Sequence, residues 1–191
     1  MGTRDVQPLM LQYKDRHTTY GPLVAGPQGC TFIALRNRTG NSAPIHNNKP
    51  DFREKLLPSK RRNWFSQHIP LSTRAIMRFR KEVSWEPLFD NTKIKDELDA
   101  SVLRLGAGMS TSGPDARTTG GCYVFVANGT LEREGEELPL WSVVYVDTSE
   151  AGFEIKAGPQ GLEALVLQFP IDDDVETRST AGASSAVPIM A

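Results

Sequence analysis

The chain has 191 residues, 39% hydrophobic and 24% charged, enough for one good core and typical of a soluble globular protein. A formal net charge of −1 offers no global attraction to nucleic acid or to an anionic membrane, so either partner would need a local patch. No apolar run is long enough to span a bilayer and the N-terminus lacks the basic-then-apolar layout of a secretory leader, so the expected location is the cytoplasm.

Residues 1–38 hold the first copy of an internal repeat. Tyr13, Asp15, Ala25-Gly26-Pro27-Gln28-Gly29 and Leu35 recur at one constant offset as Tyr145, Asp147, Ala157-Gly158-Pro159-Gln160-Gly161 and Leu167. The physical reading is one strand-turn-strand unit used twice, with prolines and glycines making the turn and an apolar run entering a core. Leu9–Tyr13 and Thr31–Leu35 read as its strands in the first copy, and no hairpin that should flank them is encoded. Unpaired strands are templates for strand addition, so these are expected either to extend the chain's own sheet or to exchange with a second copy; a homodimer is expected.

Residues 39–99 read as a linker and a short helical connector. The stretch 37–52 is polar and punctuated by Gly and Pro. Arg53, Lys55, Lys60, Arg61 and Arg62 then precede Trp64 and Phe65, and Ser72–Val83 has the spacing of a short helix with Ile76, Phe79 and Val83 on one face. Basic side chains beside aromatics are what a nucleic-acid contact needs. The simpler reading is a solvated connector whose charge is neutralised within the fold by Asp90, Asp96, Glu97 and Asp99, and nucleic acid is not the expected partner.

Residues 100–170 carry the fold. Ala100–Leu105 alternates, and Gly106–Thr119 is a polar, glycine-bearing loop. Cys122–Ala127 is β-branched and aromatic, Asn128-Gly129 is the favoured type I′ hairpin dipeptide, and Thr130–Arg133 alternates back out. Glu134-Gly135 makes the next turn, Trp141–Val146 is almost wholly apolar, Phe153–Lys156 alternates, and Ala157–Gly161 turns the chain into Leu162–Phe169. Short strands at close spacing with turn chemistry between them predict a mainly β fold, an antiparallel β-barrel or jelly roll. Period-two alternation places Val124, Val126, Leu131, Val144, Val146, Ile155, Leu165 and Leu167 in its interior. Residues 171–191, acidic and then Ser/Thr/Ala-rich, are expected to be a disordered tail.

Little in the chain announces chemistry. His17, His46 and His68 form no HxH or HxxxH pair, so no metal site is expected from them. Cys30 and Cys122 make no disulfide framework and read as buried reduced thiols, each at the start of an apolar strand; no histidine adjoins Cys122 to lower its pKa. There is no phosphate-cradling glycine loop and no GxSxG elbow.

The run from Gly120 to Pro170, a glycine-closed hairpin, a short turn, an apolar strand and a return strand, resembles the cupin superfamily, and with the repeat it resembles a degenerate bicupin with a shortened N-terminal half. The resemblance implies a double-stranded β-helix barrel. Cupins set two histidines and a glutamate ahead of the hairpin glycine and one more histidine on the return strand. Counting back from Gly129, the glutamate position falls on Cys122, the histidine pair on Ala116 and Thr118 or, with the longer spacing, on Asp115 and Arg117, and the late histidine near Phe153. The resemblance therefore implies a barrel without the usual metal triad and without a cofactor, with Asp115, Arg117, Cys122, Tyr145 and Phe153 as candidate ligand-binding residues at its mouth. Two functions stay open: a metal-free domain that binds a small molecule or serves assembly, and a cupin-type metal-dependent dioxygenase or isomerase of small organic acids with atypical or missing ligands.

Overall fold

The computed structural model describes residues 5–19, 21–37, 50–56 and 59–171. The expected tail from 172 onward and most of the expected linker, His46 included, lie outside the described residues. In chain order the elements are β1 (Gln12–Lys14), β2 (Asn63–Phe65), α1 (Arg74–Arg78), β3 (Ser84–Pro87), β4 (Asp99–Leu105), β5 (Ser110–Ser112), a 3-10 turn (Ala116–Thr118), β6 (Cys122–Arg133), β7 (Glu136–Leu138), β8 (Val143–Val146) and β9 (Glu154–Gln168). The architecture is mainly antiparallel β, with one short α-helix among the described residues.

Two long strands organise the main sheet. β9 pairs along most of its length with β6; on its other side it carries β4 at one end and β5 at the other, while β6 carries β8 and β7. β3 extends the sheet beyond β4, so the connector region supplies a strand as well as the helix. Glu134 and Gly135, both at positive φ, make the tight β6–β7 turn that the sequence predicts.

Two other expected turns are not turns. Asn128-Gly129 lies inside β6, and Ala157–Gly161 lies inside β9. The pairing slips at both places, between Val126 and Asn128 and between Gly129 and Leu131. The left-handed backbone that Asn-Gly favours in a hairpin serves equally in a β-bulge, and a bulge is what forms here. Gly129 (φ 72) and Gly161 (φ 88) face one another across it; a Cβ on Gly129 would run into the Gly161 carbonyl oxygen. Buried Met77 of α1 seats against both glycines, so the helix docks where the sheet has no side chains. That helix is shorter than its spacing predicts. It ends before Phe79, and Ile76, Phe79 and Val83 remain exposed.

The bulge also resets which residues face inward. The interior cluster is Leu103, Leu105, Val124, Val126, Leu131, Ile155, Ala157, Leu162, Ala164 and Val166, with Val144 packed against it. Leu165 and Leu167, expected inside, belong to the opposite face with Ala100, Val102, Phe125 and Ala127, and Val146 joins a smaller cluster with Ala116 and Cys122. The reason is that β9 is buried on both faces, so its run Leu162–Leu167 shows no apolar alternation from which to read a parity. The residues packed around the inner cluster, Met109, Leu138, Val144 and Phe153, all come from the sheet or its loops, so the sheet curls over its own inner face. No ladder among the described residues joins β3 to β7 or β8, so these remain edges.

The outer face has a separate cover. β1 pairs with β2, and Leu9, Leu11, Leu35, Leu88 and Phe89 pack on the outer cluster. The two copies of the sequence repeat therefore differ in structure. Ala25–Gly29 forms a turn closed by a Gly29 to Gly26 backbone hydrogen bond of 2.9 Å, while Ala157–Gly161 forms strand and bulge. Thr31–Leu35, an expected strand, has no ladder partner among the described residues and is exposed except at Leu35, and Cys30 before it, expected buried at the start of that strand, is exposed as well because no sheet covers it. Cross-strand partners decide which conformation the same five residues take.

Candidate functional site

At the expected barrel mouth, two of the candidates, Asp115 and Arg117, flank Ala116 at the 3-10 turn, and their environment differs from its own. Asp115 caps the turn by accepting from the Arg117 backbone N–H at 3.1 Å, and its carboxylate also takes the Arg117 guanidinium in a bidentate pair at 2.9 and 2.6 Å. Both side chains are well exposed, so the pair satisfies itself in solvent and contributes little stability. Ala116, between them, is fully buried against Cys122 and Val146. Cys122 thus lies in an apolar cluster, where burial first and the nearby Glu150 second push its thiol up to about 11. At neutral pH it is protonated, so it is neither a ready nucleophile nor a ready soft-metal ligand.

Phe153 packs between the inner cluster and the Cys122 cluster, with the Arg133 guanidinium 4.3 Å over its ring. Tyr145 turns to the outer face, where its ring lies 4.8 Å from that of Tyr123. Its alternation partners Val144 and Val146 take the inner side. The structure therefore gathers Cys122 and Phe153, sets Asp115 and Arg117 beside them at the surface, and leaves Tyr145 apart.

An open groove of about 400 Å³ adjoins Phe153 and is lined by Glu132, Arg133, Glu134, Glu154 and Lys156. Its charges are already answered. Lys156 pairs with Glu132 at 2.7 Å, and Glu154 accepts from the Ser110 hydroxyl at 2.6 Å. The inner face of the sheet is lined by the buried apolar cluster that runs from Leu103 to Val166. Among the described residues, no three His, Cys, Asp or Glu side chains come together to hold a metal ion. His68 is occupied otherwise: its Nδ1 lies 2.8 Å from the Pro8 carbonyl, which can only accept, so that nitrogen carries the proton.

The most developed polar chemistry lies elsewhere, in two buried networks. In the first, Arg62 donates to Asp15 through Nε and an Nη at 3.1 and 2.8 Å and to Asp96 at 3.0 Å, while its backbone N–H reaches Asp15 at 2.6 Å. Tyr13 donates its hydroxyl to Asp15 at 2.9 Å, and Lys60 reaches Asp96 at 2.8 Å. The Arg62 guanidinium sits between the Tyr13 and Trp64 rings, 5.2 and 5.5 Å from their centroids. Burial works against both carboxylates, but their hydrogen bonds to cations prevail, holding Asp15 below its ordinary value and Asp96 at about 2. Arg62 and Lys60, read from sequence as part of a basic patch, are thus neutralised within the fold by Asp96, as that reading anticipates.

The second network centres on Glu163, wholly buried in β9. It accepts from the Ser72 backbone N–H and hydroxyl at 2.9 and 2.7 Å, from Asn128 at 2.9 Å and from Arg104 on the neighbouring strand. Burial is again opposed and outweighed, this time by the Ser72, Asn128 and Arg104 hydrogen bonds, which keep the carboxyl below its usual value. The sequence carried one signal for it: a single charge inside the apolar run Leu162–Leu167. Both networks fasten segments to the sheet. Their carboxylates have their partners.

No protein-family model matches the chain, and no curated protein does. Solved structures resemble it remotely. A structural-genomics protein of unknown function from Rhizobium leguminosarum is 14% identical, with a TM-score of 0.36 over 55% of this chain and 100% of its own. The Clostridium difficile EutQ protein is 12% identical, with a TM-score of 0.34 over 47% of this chain and 69% of its own. A Cupin 2 conserved barrel domain protein from Salinispora arenicola is 13% identical, with a TM-score of 0.34 over 61% of this chain and 98% of its own.

Proposed function

We propose that this chain is a cupin-like domain that serves a structural or assembly role and does not run metal-dependent chemistry. The supporting observation is the interior. The side chains that line it, from Leu103 to Val166, are essentially inaccessible and belong to residues without donor atoms for a metal or a polar substrate. The positions that the cupin pattern reserves for ligands point the same way: Ala116 has no donor, Cys122 holds its proton, Phe153 is apolar, and Asp115 and Arg117 are spent on each other. The constant offset between the repeats supports a further reading, that residues 8–36 are the remnant of a first barrel in a degenerate bicupin.

Titration calorimetry of tag-free full-length protein with Fe(II), Mn(II), Ni(II) and Zn(II) tests the main reading. No saturable binding near one ion per chain is expected. A stoichiometric site lost on Cys122→Ser, or on replacing His17 or His46, would instead restore the enzyme reading, a dioxygenase or isomerase with atypical ligands.

A further inference from the structure

Residues 71–85 lead through α1 into β3 and present apolar side chains to solvent. Ile76 is 60% and Phe79 66% exposed, and Leu71, Val83 and Trp85 are exposed as well. The docking of the helix dictates this. Met77 seats against Gly129 and Gly161, the Arg78 carbonyl accepts from the Ala107 backbone N–H at 3.3 Å, and Glu163 holds Ser72 just ahead of the helix. With Met77 fixing the inward side, Ile76 and Phe79, three residues apart and so on one face, are turned outward together. The pair is a rigidly held apolar knob, not a side chain waiting to fold back.

The charge around the knob has one sign. The stretch 71–85 carries Arg74, Arg78, Arg80 and Lys81 against a single acid, Glu82, in a chain whose net charge is −1. Arg104 on β4 is answered by Glu86 and Glu163, whereas none of these four cations pairs with a carboxylate among the described residues. Arg74 donates to Gln160 at 2.7 Å and Arg80 to the Ser72 hydroxyl at 3.4 Å, both neutral. The segments that hold the helix, Gly106–Met109 and Pro159–Gly161, carry no charged residue. Arg78 lies beside the knob, its guanidinium 5.7 Å from the centroid of the Phe79 ring.

We propose that α1 and its flanks dock on the surface of an anionic phospholipid bilayer, with Ile76 and Phe79 entering the headgroup–acyl boundary and Arg74, Arg78 and Lys81 meeting lipid phosphates. This goes beyond the structural role argued above and does not depend on what the inner face holds. Exposed apolar side chains flanked by unpaired cations are what interfacial binding uses: the first gain by leaving water, the second by the negative potential of the leaflet. The protruding shape favours a bilayer, which yields around a knob, over a folded partner, which would need a pocket cut to fit it. The composition favours lipid over nucleic acid. A single strand would use the arginines and could stack on Phe79, but it gives Leu71 and Ile76 nothing to contact.

Co-sedimentation of untagged full-length protein with vesicles tests this, using phosphatidylcholine alone and phosphatidylcholine with about a third phosphatidylserine. Binding to the anionic vesicles is expected to be tighter by about tenfold or more, and to weaken as NaCl rises from about 0.1 M to about 0.5 M. The double variant Ile76→Ser, Phe79→Ser and, separately, Arg78→Gln, Lys81→Gln should each lower it by about tenfold or more. All four side chains are exposed, so circular dichroism should not change. Leu140→Ser, Val143→Ser, at exposed positions beside and on β8, should bind as the wild type does. No binding, or equal binding to both vesicles, overturns the proposal, and so does a β8 variant that loses binding like the α1 variants. Binding that the charge variant abolishes and the apolar variant leaves intact also overturns it, since no insertion then occurs. If that same charge-only pattern appears with a single-stranded oligonucleotide and the vesicles stay unbound, the patch belongs to nucleic acid.

Discussion

Arg62 answers two buried carboxylates with one guanidinium, and Lys60 at the margin supplies the second positive charge. Removing the guanidinium alone leaves Asp15 and Asp96 buried without their main partner, which costs far more than a surface pair ever contributes. Arg62→Met is therefore expected to lower the stability to urea by about 3–5 kcal/mol, read from the denaturation midpoint at neutral pH. The pH dependence follows with a definite sign. Asp15, Asp96 and Glu163 all have folded carboxyls below their ordinary values, so the unfolded chain binds more protons in acid. The stability they contribute is complete above the unfolded value of 3.8 for an aspartate and is lost as pH falls toward the folded value of about 2 for Asp96. That interval corresponds to about 2 kcal/mol from Asp96 alone. Urea unfolding between pH 5 and pH 2 should show the loss, and it should be smaller in Arg62→Met; an equal loss in both proteins would mean that Arg62 does not set these carboxyls. From sequence, Arg62 was one cation in a basic run and Asp96 one acid in a later cluster. Their spacing along the chain says nothing of the pairing, which depends on β1 and β2 coming together.

At the scale of elements the decisive feature is the double slip between β6 and β9. Gly129 and Gly161 sit back to back in it, and Met77 of α1 fills the space above them. A methyl at Gly129 meets backbone and also imposes a left-handed conformation that alanine resists, whereas Gly135, at a similar φ of 82, has open space around it. Gly135→Ala should thus show only the conformational cost of about 1–2 kcal/mol, and Gly129→Ala distinctly more. Equal losses by thermal or urea denaturation would reject the close approach. This is also where the sequence misled. Asn128-Gly129 and Ala157–Gly161 have the chemistry of positive φ, and that chemistry is really used; whether it ends a strand or bulges one is decided by the partner strand. Glu134-Gly135 was legible because nothing else competes for it. The inward residues of β6 were legible by alternation, but those of β9 were not, since a strand apolar on both faces shows no parity.

For the whole molecule, the strand content and the antiparallel order could be read from composition, turn chemistry and spacing. The cover of the outer face could not, because Leu9, Leu11 and Leu35 reach it through contacts far apart in the chain. The functional account rests on the inner face being full. Ala164 lies at its middle, wholly buried, paired with Leu103 on one side and Val126 on the other, and it tests that fullness directly. In a barrel with a ligand-sized void, Ala164→Leu would occupy empty space and be neutral or stabilising. In the packed interior seen here the added volume has nowhere to go, so equilibrium urea denaturation should report a loss of about 1–3 kcal/mol or more relative to wild type. An Ala164→Leu variant as stable as the wild type would contradict the account and return a binding cavity to the centre of the fold.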